Sequence, residues 1–286
     1  MSKEVKIVAE MGASHHQDGE TAKQIIDAAK WAGADAVKVQ MFTPDQMTLN
    51  SKEDRFIIKE GQWKGFKLWD LYEAAAMPVE WVPGLKNYTE SLGMEFFTSV
   101  YHPDAVDWAE EIGIPKYKIA SFEITYLELI EKVAKTKKPV YISTGTATFD
   151  EIKAAVNAVK KHNKKLTLLY CVSEYPPRIE DMNLRTIDAM GHAFKARMGL
   201  SDHTEGMVAA VASVSLGVTV IEKHIRVDDI GLDNFAMMPE PFRIMVKTVR
   251  AAEQSLGRVT YGGKKKFTRE KIEGRWIRVV STTRQS

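Results

Sequence analysis

The chain has 286 residues, long for an ordinary single domain and right for one α/β barrel, which typically takes about 250 residues. Hydrophobic residues make up 44% of it and charged residues 27%, as in soluble globular proteins; no apolar run reaches membrane-spanning length, and the N-terminus lacks the apolar stretch of a signal peptide. The net charge of +2 is uneven, since residues 258–286 hold nine Lys and Arg against two Asp and Glu, which leaves the first 257 residues at −5 and confines any nucleic-acid surface to a short tail.

Eight β-rich segments alternate with segments of helical periodicity. The first, residues 5–12 (VKIVAEMG), carries Glu10 near its end and leads into a loop with His15 and His16; a helical pattern follows over 20–34. The second, 35–42 (DAVKVQMF), places Lys38 and Gln40 inside an apolar run. Residues 43–68 contain Pro44, Gly61, Trp63 and Gly65 and are too long for a plain connection, so they are expected to form a lid or substrate loop. The third strand, 95–101, holds Ser99, and the fourth, 116–121 (KYKIAS), holds Lys118 and Ser121. The fifth, 139–145, carries Ser143 and Thr144; the sixth, 166–173, carries Cys171 and Ser173, with Tyr175 just beyond. The seventh, 196–203, ends in Ser201, Asp202 and His203, and the eighth, 218–225, in Glu222, Lys223 and His224. Helical patterns over 103–113, 126–136, 149–162 and 240–257 complete the alternation, and Gly33, Gly93, Gly113 and Gly217 stand where helices stop before strands.

Such alternation implies parallel pairing through helical crossovers. Eight units predict a closed (β/α)8 TIM barrel spanning residues 1–257, followed by a basic tail over 258–286; a doubly wound open sheet is the alternative fold. In a parallel barrel the reactive groups lie at the C-terminal strand ends, where the polar residues of this chain collect. A lysine inside an apolar strand is costly unless it meets an anion, so Lys38, Lys118 and the neighbouring hydroxyls suggest an anion pocket suited to phosphate. Internal salt bridges with Glu10 or Glu222 are the competing explanation. His203 and His224, at the tips of neighbouring strands with no thiolate beside them in sequence, suit an open site for a first-row divalent ion, against the plainer reading of two core histidines. His15 is a candidate to orient substrate, and His16 is read as a surface residue. Cys171, the only cysteine, excludes an intramolecular disulfide, points to a cytoplasmic setting and is read as a core residue, because no base adjoins it in sequence.

Taken together, AEMGASHHQDG, ADAVKVQ, YKIASFEI, PVYISTGTAT, YCVSEYPP, GLSDHTEG and VIEKH resemble the sialic acid synthase family over about Val5 to Gly257, in the family's order. KLWDLYEAAAMPVEW is more similar to its pseudaminic acid synthase branch than to the N-acetylneuraminate branch. The resemblance implies a nonulosonic acid synthase that condenses phosphoenolpyruvate with an amino-sugar aldehyde and releases phosphate. It assigns phosphoenolpyruvate contacts to Lys38, Lys118, Ser121, Ser143 and Ser201. Ser99 and Ser173 fill two more such positions, where the N-acetylneuraminate branch commonly has Thr and Asn. Glu10, Tyr175 and Asp233 match residues that hold the sugar, and His203 and His224 match ligands of a divalent ion, Mn²⁺ or alternatively Mg²⁺ or Co²⁺. Glu222 stands beside that ion, and either Glu222 or Glu10 is expected to move protons.

Three departures from the family pattern fall at the sugar end: Ser14 replaces an Asn, SVY at 99–101 replaces a Pro-containing turn, and IGLDNFAMMPEP replaces a longer loop around Asp233. The chain ends about where family members continue into an antifreeze-like domain that lends an arginine to the partner's site, so Arg275, Arg278 or Arg284 is expected to substitute if any residue does. The apolar Trp276, Ile277, Val279 and Val280 in that tail suggest a homodimer. An N-acetylneuraminate or legionaminate synthase is the rival enzyme, and a catalytically silent sugar-binding or scaffold barrel is the rival of another class. No nucleic-acid or membrane partner is expected.

Overall fold

The structure, a computed structural model, describes residues 4–259. Strands β1 (Lys6–Glu10), β2 (Ala36–Met41), β3 (Glu95–Val100) and β4 (Tyr117–Ile119) are followed by β5 (Val140–Ser143), β6 (Leu166–Cys171), β7 (Arg197–Asp202) and β8 (Val220–His224). All eight pair in parallel in chain order, and β8 returns to β1 to close the barrel, which disposes of the open-sheet alternative. Each strand lies inside its sequence-predicted segment and is shorter, trimmed at one or both ends.

Helices cover the barrel where the periodicity placed them. Helix Gly19–Ala32 starts at Asp18, whose carboxylate accepts from the Thr21 N–H at 3.0 Å, and stops at Gly33 in the left-handed region. Helix Phe149–Lys160 opens on a reciprocal capping box between Thr148 and Glu151. The long segment before β3 is not one loop. It contains the short helix Pro44–Met47, a 3-10 turn at Asp54–Phe56 and a bridge between Ile57 and Lys67, and leads into helices Leu68–Ala75 and Val82–Ser91.

The two ends of the barrel differ in kind. At the N-terminal end, Glu95 is held by Lys6 and Lys116, and the Lys116 ammonium lies 5.0 Å from the Phe97 ring centre and 4.8 Å from that of Tyr141. Outside the barrel, the last helix, Pro239–Leu256, seals the closure: Arg250 donates to Val5 O at 2.5 Å and to Asp35 Oδ2 at 2.8 Å, tying the approaches to β1 and β2 together.

The chain divides into two units, Met1–Gln254, which carries the barrel, and Ser255–Ser286, most of which lies outside the described residues. The lysines at 264–266, the arginines Arg275, Arg278 and Arg284 and the apolar group around Trp276 all fall outside the described residues. Among the described residues no helix is long and apolar enough to cross a membrane.

Interior packing yields one direct expectation. A Cβ on Gly199 of β7 would collide with the Val220 side chain and lie 2.5 Å from Leu169 Cδ2 and 2.8 Å from the Val220 carbonyl oxygen, a backbone atom that cannot swing aside. Gly199→Ala should therefore cost roughly 1–3 kcal/mol by overpacking. Urea unfolding followed by circular dichroism measures this, and an unchanged midpoint would show that the barrel interior has slack.

Candidate active site

Strand alternation sends every second residue into the barrel, and parallel register brings the inward residues of β1, β2, β4 and β8 to one level. Glu10 and Lys38 are direct register partners, as are Glu10 and His224, and Ser201 and Glu222. The result is a buried cluster of two ammoniums and two carboxylates. Lys38 Nζ lies 2.9 Å from Glu10 Oε2, 3.6 Å from Glu222 Oε1 and 2.8 Å from Ser99 Oγ; Lys118 Nζ lies 2.8 Å from Glu222 Oε1. Ser201 donates to the same Glu222 oxygen at 3.1 Å, and Gln40 donates to Glu10 Oε1 at 2.8 Å. Both lysines thus have the internal carboxylate partners that were the alternative to substrate binding, and both also line the cavity above.

The charges are unequally held. Burial would raise the Glu222 carboxyl, but Lys118 and Lys38 together hold it well below the ordinary range. Burial likewise works against the Lys38 ammonium, and Glu10 and Glu222 more than compensate, so its pKa lies above the ordinary value. Lys118 is pushed down, by burial first and by repulsion from Lys38, with Glu222 only partly offsetting them. Oε2 of Glu222 is buried with no hydrogen-bond partner and Oε2 of Glu10 meets only Lys38, which leaves acceptor capacity in the cluster.

Beside the cluster stand the two histidines, ring centres 5.5 Å apart. His203 Nδ1 lies 3.1 Å from the Val172 carbonyl oxygen, so that nitrogen carries the proton and Nε2 is left as a lone-pair donor. His224 Nδ1 is buried without a hydrogen-bond partner, 3.7 Å from Asp233 Oδ2. Asp233 accepts from the Ala13 N–H at 2.8 Å and from Ser14 Oγ at 3.3 Å; burial would raise its carboxyl, but His224 and these donors bring it below the usual value. Gly12, at φ +52°, is required here, because a Cβ would strike the Asp233 carboxylate and fall 2.8 Å from His224 Nδ1. Among the described residues no three His, Cys, Asp or Glu side chains converge into a metal cage. The pair fits a divalent ion only as an open site completed by water or substrate oxygens.

A cavity of about 320 Å³ opens above these groups. Of the candidate residues, Glu10, Lys38, Lys118, Ser121, Ser143, Tyr175, Ser201, His203, Glu222, His224 and Asp233 line it. Ser99 and Ser173 do not line it: Ser99 accepts from Lys38 behind the wall, and Ser173 lies beside Gly145 and 3.6 Å from Cys171 Sγ. Tyr175 lies against His203 with ring centres 4.3 Å apart and against Trp63 at 5.6 Å. The 43–68 segment contributes Met47, Ile58 and Trp63 to the wall, and Trp63 Nε1 donates to the Leu232 carbonyl at 3.0 Å. It forms one side of the mouth, as a substrate loop would.

Several residues differ from their sequence reading. Cys171 is buried, but an imidazole does stand beside it in space: His203 Nδ1 is 3.7 Å away, and although burial alone would raise the thiol, His203 and nearby hydroxyls bring it down to about 7. Linear adjacency misses a neighbour supplied by the next strand. His15 is fully buried away from the cavity, with Nδ1 accepting from the Gln17 N–H at 2.9 Å and burial lowering its pKa to about 4, so it is a neutral packing residue. His16 is not a free surface group; its Nε2 lies 3.0 Å from Asp228 Oδ1.

One acidic cavity residue escaped the sequence reading altogether. Glu123, in the 3-10 turn Ser121–Thr125 just after β4, lines the cavity with Oε2 buried and unpartnered. Burial lifts its carboxyl from the ordinary 4.5 to about 7, against smaller opposing pulls from a backbone hydrogen bond and Lys118. Its place next to Ser121, one turn beyond a strand already singled out, was the available signal.

Comparison with known proteins identifies the family of the chain. The chain matches the NeuB family over residues 25–261. It is 42% identical over 257 residues to a pseudaminic acid synthase of Helicobacter pylori, covering 88% of this chain and 75% of that one. A pseudaminic acid synthase of Campylobacter jejuni is 41% identical over 259 residues, 89% of this chain and 76% of the relative. Among solved structures, the N-acetylneuraminic acid synthetase of Leptospira borgpetersenii superposes with a TM-score of 0.81 at 28% identity, over 99% of this chain and 94% of that one.

The raised Glu123 carboxyl has a signed consequence. Between the unfolded value near 4.5 and the folded value near 7 the native state binds more protons than the unfolded one, so this residue makes stability fall as pH rises through that window. Glu123→Gln should flatten that limb and be more stable than the parent chain above pH 7, as measured by thermal unfolding across pH. Parallel curves for the two proteins would place the carboxyl in water.

Proposed function

The chain belongs to the NeuB family, and we propose that it is a nonulosonic acid synthase that condenses phosphoenolpyruvate with an open-chain amino-sugar to give a pseudaminic-acid-like product and phosphate. It is a carbon–carbon bond-forming transferase. The observation that carries the assignment to this site is the buried Glu10–Lys38–Glu222–Lys118 cluster beside the His203–His224 pair at the barrel mouth. Two ammoniums within one cavity suit a substrate with both a phosphate and a carboxylate, and no packing requirement explains placing them inside apolar strands. Retention of all four charges also argues against a silent sugar-binding barrel.

In this reading Lys38 and Lys118 hold phosphoenolpyruvate, aided by the Ser121, Ser143 and Ser201 hydroxyls. Attack of its C3 on the sugar aldehyde carbon places negative charge on the former carbonyl oxygen and positive charge at C2. Glu222 stabilises the positive centre from across the barrel; water adds at C2 and loses a proton to Glu222 or Glu10, the alkoxide takes up a proton to become a hydroxyl, and the C2–O bond to phosphate breaks as C2 becomes a ketone. Asp233, Tyr175 and Glu10 hold the sugar, with Glu123 added to that wall by its position. His203 and His224 would hold a divalent ion, Mn²⁺ or alternatively Mg²⁺ or Co²⁺, which when bound polarises the sugar carbonyl. The setting proposed is a cytoplasmic homodimer.

Phosphate release from phosphoenolpyruvate with Mn²⁺ and a panel of amino-sugars tests the function; no release with any member would overturn it. His203→Ala and His224→Ala should each abolish metal-dependent turnover with an unchanged circular dichroism spectrum. Full activity in either variant, or in chelator-stripped protein, would remove the metal from the mechanism.

Lys38→Met and Lys118→Met separate substrate binding from internal pairing. Each should weaken phosphoenolpyruvate binding by roughly 2–5 kcal/mol in calorimetry, with a much smaller loss for the sugar. Equal losses for both ligands would assign the lysines to structure alone.

A further inference from the structure

We infer that Asp202 and Lys223, a buried ion pair outside the cavity, are positioning residues that set His203 and His224 against each other for a shared ligand. The inference rests on the reading that the two histidines bind a divalent ion.

The backbone ladder between β7 and β8 ends at the pair Asp202 and Lys223. The next residues on both strands are the histidines, and no ladder bond joins them to each other. Where the backbone stops, the side chains take over. Lys223 Nζ lies 2.9 Å from Asp202 Oδ2 and donates to the Thr204 carbonyl at 2.6 Å. Asp202 Oδ1 accepts from the Thr204 N–H at 2.9 Å and from Thr204 Oγ1 at 2.7 Å. The ammonium adjoining His224 therefore grips the residues on both sides of His203.

Neither residue lines the cavity, and both are shielded from water, at 1% exposure for Asp202 and 2% for Lys223. An ion pair in that position is a poor source of stability, because desolvation offsets most of its attraction. Its directional bonds do hold two strand tips in one relative position. An open two-histidine site has few protein ligands, so its affinity depends strongly on how those two rings are aimed.

The test is a Mn²⁺ titration of the full chain, stripped with chelator, read by the loss of the free-ion electron paramagnetic resonance signal. Asp202→Asn and Lys223→Met should each weaken Mn²⁺ binding roughly 10- to 100-fold. The double variant Asp202→Asn/Lys223→Met leaves no lone buried charge, so it remains testable if a single variant fails to fold, and it should also bind weakly. Thermal unfolding of the same samples separates folding from positioning. A lowered melting temperature with parent-like Mn²⁺ affinity in the folded variants would overturn the inference, leaving the pair a structural one. His203→Ala is the control: if it loses Mn²⁺ while the ion-pair variants keep it, only the positioning role falls, whereas a parent chain that binds no Mn²⁺ removes both the metal reading and this inference.

Discussion

Four charges that cannot be left alone organise this barrel. Lys118 on β4 and Glu222 on β8 sit on opposite sides of an eight-stranded closed sheet and still meet at 2.8 Å, while Lys38 bridges Glu222 and Glu10 on the neighbouring strands. A lone ammonium or carboxylate at that depth is far costlier than the exchange of one apolar side chain for another. Register is therefore constrained from inside as well as by the outer helices. A slip of one residue in β2 would turn Lys38 and Gln40 out of the barrel together and leave Glu10 facing the apolar Val37 and Val39. The N-terminal end shows the same economy on a smaller scale, with Lys116 shared between Glu95 and two aromatic faces.

The cluster also limits what can enter. Two cations and two anions sum to zero, so an anionic substrate drawn to Lys38 and Lys118 meets Glu10 and Glu222 at the same time. Charge balance on binding then requires either a proton on one carboxylate or an additional cation nearby. The histidine pair lies where a divalent cation would meet that need, lining the same cavity as Glu10 and as Glu222, whose Oε2 has no hydrogen-bond partner. Lys118 and Lys38 hold the Glu222 carboxyl low, so it is ionised before the reaction, as a proton acceptor must be, whereas Glu123 is already lifted to about 7 on the opposite wall.

The fold and most of the site were legible because each left a violation of the local pattern. Apolar runs of strand length between helical periods gave eight units, and lysines inside two of those runs called for an anion, whether substrate or an internal carboxylate. Residues whose role depends on a neighbour from elsewhere in the chain were not legible. Cys171 acquires His203 from the adjoining strand, and Glu123 reads as an ordinary acid after a strand until the 3-10 turn carries it back over the cavity. Phe42, Leu71 and Tyr101 look like core in sequence, as they are by burial, yet they also form the cavity's apolar side. Ser99 shows the converse, because strand alternation places it correctly but Lys38 covers it.

Above the charge cluster the mouth is assembled from three loops that hold one another. Asp233 in the β8 loop accepts from Ala13 and Ser14 after β1, Asp228 in the same loop pairs with His16, and Trp63 of the 43–68 segment donates to Leu232. None of these bonds touches Lys38, Lys118 or Glu222. Two of the three sequence departures, at Ser14 and around Asp233, lie in this upper layer, whereas Ser99 of the third accepts from Lys38 in the charge cluster. Loops tolerate substitution where buried charge pairs do not. In the proposed function a change of sugar specificity can therefore be written into the mouth while the anion-handling floor stays constant, and the two layers share Glu10 and the histidine pair, where Asp233 meets His224 from above and Glu222 approaches it from below.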